Sequence, residues 1–302
     1  MTLYKYYPED RFFERRLVRF SQPSALNDPN EALPEMLIGR YSEDDYEKAR
    51  REAERAGMHD ATIEDLEAFF LKPFPSARFD ERSFPGLWPA HEPRLKSEPF
   101  DTIAEYDHAI AIRAMELLAE RANATIGIFS LSRVLSDPMR AYYANTHQGL
   151  VIGFDERHPF FAGRCLEVEH SDRPFSVSSN DGGVRVFSAT FNNEDILEGR
   201  LETIPHQLFL RKRPGWEHEG EVRMIAPLTA ATAVLNSADA YPVYLFVVPA
   251  SAVVSIEFGY AAADDFVAAT MGRVADQSVW GHLKIIRRRR LRSRMIEDEV
   301  IS

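Results

Sequence analysis

The sequence predicts an α+β protein in which a mainly antiparallel sheet carries flanking and inserted helices. Residues 42–122 contain long stretches whose apolar residues have helical spacing. From Ile126 to Phe258, short β-branched and aromatic stretches alternate with turns and short helices. No stretch of the 302-residue chain has the composition of a linker, so a single domain over residues 1–302 is expected.

The N-terminal part is expected to begin with two short strands and to continue with helices. The predicted strands are Leu3–Tyr6 and Leu17–Phe20, and the predicted helices are Glu9–Arg16, Ser42–Ala56, Thr62–Leu71 and Asp101–Ala122. Ser42 is a candidate N-cap, and the sequence Asn27-Asp28-Pro29 predicts a turn. Residues 72–99 are rich in proline and are expected to form a loop. Residues 42–122 would thus be a helical and Pro-rich excursion from the sheet.

The second half is expected to supply most of the sheet. The stretch Ile126–Ser132 is typical of a strand, because β-branched and aromatic residues alternate with small ones. Further strands are predicted at Gly149–Phe154, Cys165–Glu169, Val184–Phe187, Glu221–Ile225, Val243–Val248 and Val253–Phe258, with helices at Pro138–Asn145 and within Asn192–Phe209.

Composition excludes several classes of protein. The formal net charge of −11 excludes a uniformly basic surface for nucleic acid. The one cysteine, Cys165, excludes an intramolecular disulfide framework and a site with several cysteine ligands. The most apolar stretch, residues 241–256, contains two prolines and is shorter than the roughly 20 residues of a membrane span. With no signal-peptide pattern at the N-terminus, a cytoplasmic protein without a membrane partner is expected.

The segment 284–294 is strongly basic, with seven Lys or Arg residues among eleven. In an acidic chain this asymmetry has two interpretations. The segment is either an edge strand whose arginines are solvated or pair with the chain's own acids, or a contact for phosphate or RNA. The candidate nucleic-acid-binding residues are Arg287, Arg288, Arg290 and Arg292.

The segment Lys212–Arg223 is the most informative for chemistry. If Glu219–Ile225 is a strand, then Glu219, Glu221 and Arg223 lie on one of its faces. Two acids and a cation in one row are costly to bury unless they pair. Either this is a surface strand with a simple Glu221–Arg223 pair, or the face lines a polar cleft. In a cleft, a neighbouring Glu would raise a carboxyl pKa and the Arg would lower it again.

Two further segments contribute candidate residues. Ser130 and Ser132 point to the same side of their predicted strand, where they would bond to backbone or face a ligand. Tyr143 would pack in the core or stack on a planar ligand, and His147 is expected near the C-terminal end of a helix, where a cation is favoured. No Walker A, Gly-x-Gly-x-x-Gly or His-Glu-x-x-His motif is present, and no metal is predicted.

Taken together, several short motifs resemble a bacterial family of unknown function, the domain-of-unknown-function family 2971. The motifs are Leu3–Tyr6, Phe20–Pro29, Phe129–Ser132, Met139–Tyr143, His147–Gly149, Gly153–Asp155 and Trp216–Arg223. They follow the family's order and cover roughly residues 3–260. The family tends to have Trp after the Met, where this chain has Arg140. This resemblance implies no established reaction.

The order of three of these motifs also resembles that of ADP-ribosyltransferases. Such enzymes combine a polar residue on a first strand, a Ser-x-Ser strand and a later Glu-x-Glu. Here Tyr4, Lys5 or Tyr6 comes first, followed by Ser130 and Ser132, and then by Glu219 and Glu221. The first-strand residue is normally Arg or His, and neither is present.

That resemblance implies an activity on NAD. Glu221 would stabilise the ribosyl cation that forms when the nicotinamide–ribose bond breaks. Glu219 would orient the acceptor, Ser130 and Ser132 would position the ribose, and Tyr4 or Tyr143 would stack on the ring. Such an enzyme would act as a bacterial toxin or phage-defence effector.

Two alternatives to this activity remain open. One is a non-catalytic module that binds nucleic acid or protein through the basic segment. The other is a nuclease that uses Asp and Glu to hold a metal ion.

Overall fold

The computed structural model describes residues 1–26, 36–39, 41, 43–71, 79–80, 103–180, 183–236, 241–290 and 296–301. The fold is α+β, as predicted, with 37% helix, 32% strand and a mostly antiparallel main sheet. Contacts divide the chain into two compact units, one formed by residues 1–22, 125–171 and 212–302, the other by residues 23–124 and 172–211. We call them the first and the second unit.

An eight-stranded sheet forms the frame of the first unit, with strand order β18-β17-β16-β6-β1-β5-β13-β7. Its strands are β1 (Thr2–Tyr7), β5 (Ile126–Ser132), β6 (Leu150–Asp155), β7 (Cys165–Glu167), β13 (Glu221–Pro227), β16 (Val253–Phe258), β17 (Lys284–Arg290) and β18 (Ile296–Val300). Strands β16 and β17 are parallel, and the other neighbours are antiparallel. The N-terminal strand β1 thus lies at the centre, next to β5.

One face of this sheet is covered by a large apolar core. Phe129 and Leu131 of β5, and Val222 and Met224 of β13, are buried in it. The Phe20 ring stacks on Phe129 with 5.2 Å between ring centroids. Buried aromatic side chains bury about 150–250 Å² each, so these residues hold their face of the sheet against the core. Because they occupy alternate positions of β5 and β13, the residues between them reach the opposite face.

Helices and a small sheet complete the first unit. The helices are α1 (Phe12–Arg15), α5 (Asp137–Tyr143) and α7 (Asp264–Ala275). The small sheet contains β2 (Leu17–Phe20), β14 (Ala233–Leu235) and β15 (Val243–Val247), in the order β14-β15-β2. The short strand β8 is Glu169–His170, and β12 is Arg211–Lys212. Helix α5 packs on the face of the sheet opposite the large core, where Met139 and Ala144 contact Tyr6 and Val151.

The second unit has its own sheet, with strand order β11-β10-β9-β3-β4. Its strands are β3 (Met36–Gly39), β4 (Phe79–Asp80), β9 (Phe175–Asn180), β10 (Gly183–Val186) and β11 (Ala189–Asn192), and its helices are α2 (Glu43–Arg55), α3 (Ile63–Phe69), α4 (Ile103–Thr125) and α6 (Asn193–Leu197). Thr62 and Asp65 form a reciprocal capping box at the start of α3, which explains why that helix begins where the sequence predicts.

Most predicted elements are present with small shifts of their ends, and one prediction needs correction. The strand Phe79–Asp80 lies inside the Pro-rich stretch that was expected to be a loop, because it pairs with Leu37 and Ile38 of β3. The remainder of residues 72–99, the predicted turn at residues 27–29 and the predicted cap Ser42 lie outside the described residues. None of the described helices is both long and apolar enough to cross a membrane.

Candidate functional site

Three neighbouring strands bring the predicted motifs together. Tyr4 of β1 lies opposite Ser132 of β5, and Ser132 lies opposite Glu221 of β13. Two residues further along the same two strands, Ser130 lies opposite Arg223. Because residues paired across a sheet point to the same side, the two serines, Glu221 and Arg223 share one face.

The sequence also led us to expect a polar cleft between the Ser130–Ser132 strand and the Glu219–Arg223 strand, and no gap separates these two strands. Strands β5 and β13 are hydrogen-bonded neighbours along seven residue pairs, from Glu221↔Ser132 to Pro227↔Ile126. The hydroxyls and the acids therefore meet on one sheet face rather than across a gap.

The strand begins at Glu221, as predicted, and not at Glu219, so the arrangement considered for a strand over Glu219–Ile225 is not formed. Glu219 ends a 3₁₀ turn (Pro214–Glu219), and β13 begins only at Glu221. Between them Gly220 has a φ of 52°, and a Cβ built there would lie 2.6 Å from Cγ2 of Val134. This left-handed residue breaks the alternation that would have aligned Glu219 with Glu221.

The side chain of Glu219 nevertheless meets that of Glu221, because Lys212 bridges them. The Lys212 ammonium donates to Oε2 of Glu219 at 2.6 Å and to Oε2 of Glu221 at 3.1 Å. Arg223 donates from Nε and a terminal nitrogen to the two oxygens of Glu221, at 2.8 and 3.1 Å. We call Lys212, Glu219, Glu221 and Arg223 the charge cluster.

The charge cluster is buried. Arg223 is 0% exposed, Glu219 4%, Glu221 7% and Lys212 9%. The interpretation of this segment as a surface strand with a weak ion pair is therefore wrong. Buried ions are tolerated when they are paired with good geometry, as the two-point contact between Arg223 and Glu221 provides.

Glu221 is held in its ionised form. Burial on its own would raise the pKa of this carboxyl, but Arg223, Lys212 and the Ser130 hydroxyl outweigh burial and lower the pKa to about 2. The sequence left open whether the pKa of this carboxyl would be raised or lowered, and the lowering effect of Arg223 dominates. At neutral pH Glu221 is an anion that accepts hydrogen bonds and cannot donate a proton.

The two serines have different environments. The Ser132 hydroxyl contacts the carbonyl oxygens of Val134 at 2.8 Å and of Glu219 at 2.5 Å, and accepts from the amide of Val134 at 3.0 Å. Ser132 therefore ties the strand end to the turn that carries Glu219, which matches the backbone-bonding interpretation. Ser130 instead hydrogen-bonds the carboxylate of Glu221.

Tyr143 joins the charge cluster from helix α5. Its hydroxyl donates to Oε1 of Glu219 at 2.6 Å. Burial, the hydrogen bond and the charge of Glu219 raise the pKa of Tyr143. On the same side of α5, Arg140 donates to Oε2 of Glu257 on β16 at 2.7 Å, and both of these residues are buried. One short helix thus contacts one acid in the turn before β13 and another on β16.

The N-terminal strand contributes Lys5 and Tyr6. The Lys5 ammonium donates to the carbonyl of Ser130 at 2.8 Å. Burial lowers the pKa of Lys5 to about 8, although Glu221 and Glu219 oppose this shift. The Tyr6 hydroxyl donates to the carbonyl of Val134 at 2.8 Å and accepts from the amide of Ser136 at 3.2 Å. Tyr6 therefore fixes the segment that leads into α5.

His147 does not end a helix, contrary to the expectation. Helix α5 ends at Tyr143, and Asn145, Thr146 and His147 all have positive φ angles. The His147 ring stacks on Tyr260 with 4.4 Å between centroids. Burial is the main cause that lowers the pKa of His147, so its neutral form is favoured and the proposed cation at a helix end is not.

A serine–histidine contact outside the charge cluster does not form a nucleophile–base pair. Nδ1 of His158 accepts from the amide of Phe160 at 3.1 Å, so the proton of a neutral ring lies on Nε2. Nε2 is 3.0 Å from Oγ of Ser251. The histidine therefore donates to this serine and does not take its proton.

The basic segment forms strand β17, and its described arginines pair with the chain's own acids. Arg287 pairs with Asp264, and Arg288 pairs with Asp137 and Asp298. The strand is not at the edge, since β18 pairs along its outer side. The Arg290 side chain and Arg292 lie outside the described part of the chain. The pairing matches the interpretation that these arginines balance internal acids, and nucleic-acid binding stays a prediction.

Lys212 is the main residue that sequence reasoning missed. It precedes Glu221 by nine residues, and a proline, a glycine and a tryptophan lie in between. Its carbonyl accepts from the amide of Ser171 at 2.9 Å, and its ammonium lies 4.9 Å from the centroid of the Trp216 ring. The available signal was the sequence Lys-Arg-Pro-Gly-Trp over residues 212–216, in which Pro-Gly predicts a tight turn that brings Trp216 back towards Lys212.

Within the described ranges, no three His, Cys, Asp or Glu residues are grouped so that they could hold a metal ion. Comparison with models of protein families, with curated proteins and with solved structures gave no match. The resemblance to family 2971 and to ADP-ribosyltransferases therefore stays a prediction from the motifs.

Proposed function

We propose that this protein binds NAD and cleaves the bond between nicotinamide and ribose. The observation that supports this most is the row formed by Tyr4, Ser132 and Glu221 on three adjacent strands, with Glu221 ionised beside Ser130. The order of these residues along the chain is the order that motivated the hypothesis.

The proposed reaction is a substitution at C1′ of the ribose. The bond from C1′ to the nicotinamide nitrogen breaks, and its electron pair leaves with nicotinamide. The oxygen of water or of an acceptor then bonds to C1′ and loses its proton to solvent. An ionised carboxylate beside the ribose stabilises the positive charge that develops on the ring, more strongly in a buried site than in water.

The hydrogen-bond partners assign different roles to the two acids. A carboxylate has about four acceptor positions. Glu221 receives four donors, two from Arg223 and one each from Lys212 and Ser130. In the described part of the chain, Glu219 receives two, from Tyr143 and Lys212. We therefore assign contact with the ribose hydroxyl to Glu219, and to Glu221 the positioning of Lys212 in the ligand-free protein.

Other cluster neighbours have supporting roles in this proposal. Tyr143 orients Glu219 through its hydroxyl, so stacking on the nicotinamide ring falls to another aromatic residue at the charge cluster, such as Trp216. Lys5, at the place where ADP-ribosyltransferases have Arg or His, donates to the Ser130 carbonyl and lies over the Phe129 ring, so it supports the strand that carries the serines. An enzyme that consumes NAD or modifies a target in this way would serve as a toxin or a phage-defence effector.

The direct test incubates the purified protein with NAD labelled in the nicotinamide ring, with and without cell extract. Release of labelled nicotinamide that continues in EDTA supports the proposal. No release under either condition contradicts it. Two further measurements test the alternatives. Salt-sensitive RNA binding that Arg288→Ala removes favours the binding module. Nucleic-acid cleavage that stops in EDTA favours the nuclease.

A further inference from the structure

The Lys212 ammonium occupies the centre of the charge cluster. It lies 2.6 Å from Glu219 and 3.1 Å from Glu221. The Trp216 ring lies 4.9 Å from the same nitrogen. Two carboxylates and an aromatic ring thus surround one cation that belongs to the chain itself.

The acids of the cluster favour a cation at this point. Glu221 is contacted by Arg223 at two points, and Lys212 contacts Glu219 at 2.6 Å. Lys5 also interacts electrostatically with both acids. A buried carboxylate without a cation is costly. Carboxylates beside an aromatic face are also the surroundings in which proteins bind organic cations.

We propose that this place is a binding site for the cationic ring of a ligand, and that Lys212 is its internal occupant until the ligand arrives. A pyridinium ring would take the position of the ammonium, with its charge beside Glu219 and Glu221 and its face against Trp216. The proposal deepens the proposed function, since the nicotinamide ring of NAD is a pyridinium cation. It rests on that function only for the choice of this cation.

Lysine is suited to such an exchange. Its charge sits at the end of a flexible four-carbon chain, so it can leave without a change in the backbone. Arg213, Pro214 and Gly215, which directly follow Lys212, are exposed. The backbone that carries Lys212 therefore leads directly into an exposed turn. Arg223, fixed by two contacts and 0% exposed, is the cation that stays.

The test compares two probes that differ in charge and little in shape, 1-methylnicotinamide and nicotinamide. In Lys212→Met the internal occupant is removed. We expect the cationic probe to bind this variant at least tenfold more tightly than it binds the wild type, and the neutral probe to show no such gain. Binding is measured by calorimetry, and by the rise in Tm on addition of each probe.

A double variant serves as the matched control and covers loss of stability. Lys212→Met alone removes the ammonium that contacts the buried Glu219 carboxylate, and its Tm is expected to fall. The double variant Lys212→Met with Glu219→Gln also removes that charge, so it should recover Tm and lose the preference for the cationic probe. Equal effects of the two probes on Lys212→Met, or no effect of either, overturn the cation site. Absence of NAD cleavage with the preference intact contradicts only the proposed function.

Discussion

The Tyr143 hydroxyl donates a 2.6 Å hydrogen bond to Glu219, a residue 76 positions later in the chain. Three residues before Tyr143, Arg140 pairs with Glu257 on β16. Helix α5 therefore connects the charge cluster to a second buried ion pair. The arrangement of Glu219 depends on this helix as well as on the turn that carries it.

The first prediction concerns the buried pair of Glu221 and Arg223. Glu221→Gln leaves the fully buried guanidinium of Arg223 without its carboxylate. We expect a loss of about 3–5 kcal/mol in the free energy of unfolding at pH 7, measured by urea denaturation. Glu217→Gln, at an exposed position of the same segment, is the control and should change stability by less than about 0.5 kcal/mol. A loss below about 1 kcal/mol in Glu221→Gln would mean that the pair is not buried as described.

The second prediction is the pH dependence of that difference. The pKa of Glu221 is lowered from 4.5 to about 2 in the folded state. A lowered carboxyl pKa contributes stability that is complete above pH 4.5 and is lost as the pH falls towards 2. The contribution is about 3 kcal/mol, so the stability gap between wild type and Glu221→Gln should shrink over this window. A gap that stays constant from pH 5 to pH 2 would contradict the lowered pKa.

The third prediction concerns Lys5 and applies at alkaline pH. The pKa of Lys5 is lowered from 10.5 to about 8, chiefly by burial. Between these two values the unfolded chain binds more protons than the folded chain, so stability rises with pH. Wild type should therefore gain stability relative to Lys5→Met between pH 8 and pH 10.5. Parallel stability curves of the two proteins across this range would contradict the lowered pKa of Lys5.

The fourth prediction concerns the turn before β13. Gly220→Ala places a Cβ at a φ of 52° and 2.6 Å from the side chain of Val134. We expect a loss of about 1–2 kcal/mol from the left-handed backbone, and more from the close contact. Gly215→Ala is the control in the same turn, because a Cβ there meets nothing within 4 Å. Thermal unfolding of the two variants should therefore differ, and similar Tm values would contradict this geometry.

The predictable parts of the fold are those in which local alternation decides the structure. Strand β5 has the predicted bounds, Ile126–Ser132, because Phe129 and Leu131 enter the core while Ser130 and Ser132 point away. Strand β18 was missed because its acidic residues, such as Glu297 and Asp298, are exposed and show no apolar alternation. The two compact units were not visible either, since each combines separate segments of the chain and no linker marks the change.

The candidate site was predictable in its residue types but not in its geometry. The sequence indicated that Glu221 and Arg223 would pair and that Ser130 and Ser132 share a face. It did not indicate Lys212, which reaches the acids through a 3₁₀ turn. Register between β5 and β13 depends on contacts about 90 residues apart, and such long-range pairing leaves no local pattern to detect.

The most direct test of the account is the rate of nicotinamide release from NAD by wild type, Glu219→Gln and Glu217→Gln. The carboxylate of Glu219 is assigned to the ribose, whereas Glu217 is exposed at the surface of the same turn. We expect release by wild type, a fall of at least 100-fold in Glu219→Gln with its fold intact by circular dichroism, and an unchanged rate in Glu217→Gln. Release at the wild-type rate by Glu219→Gln, or no release by any of the three proteins, would contradict the account.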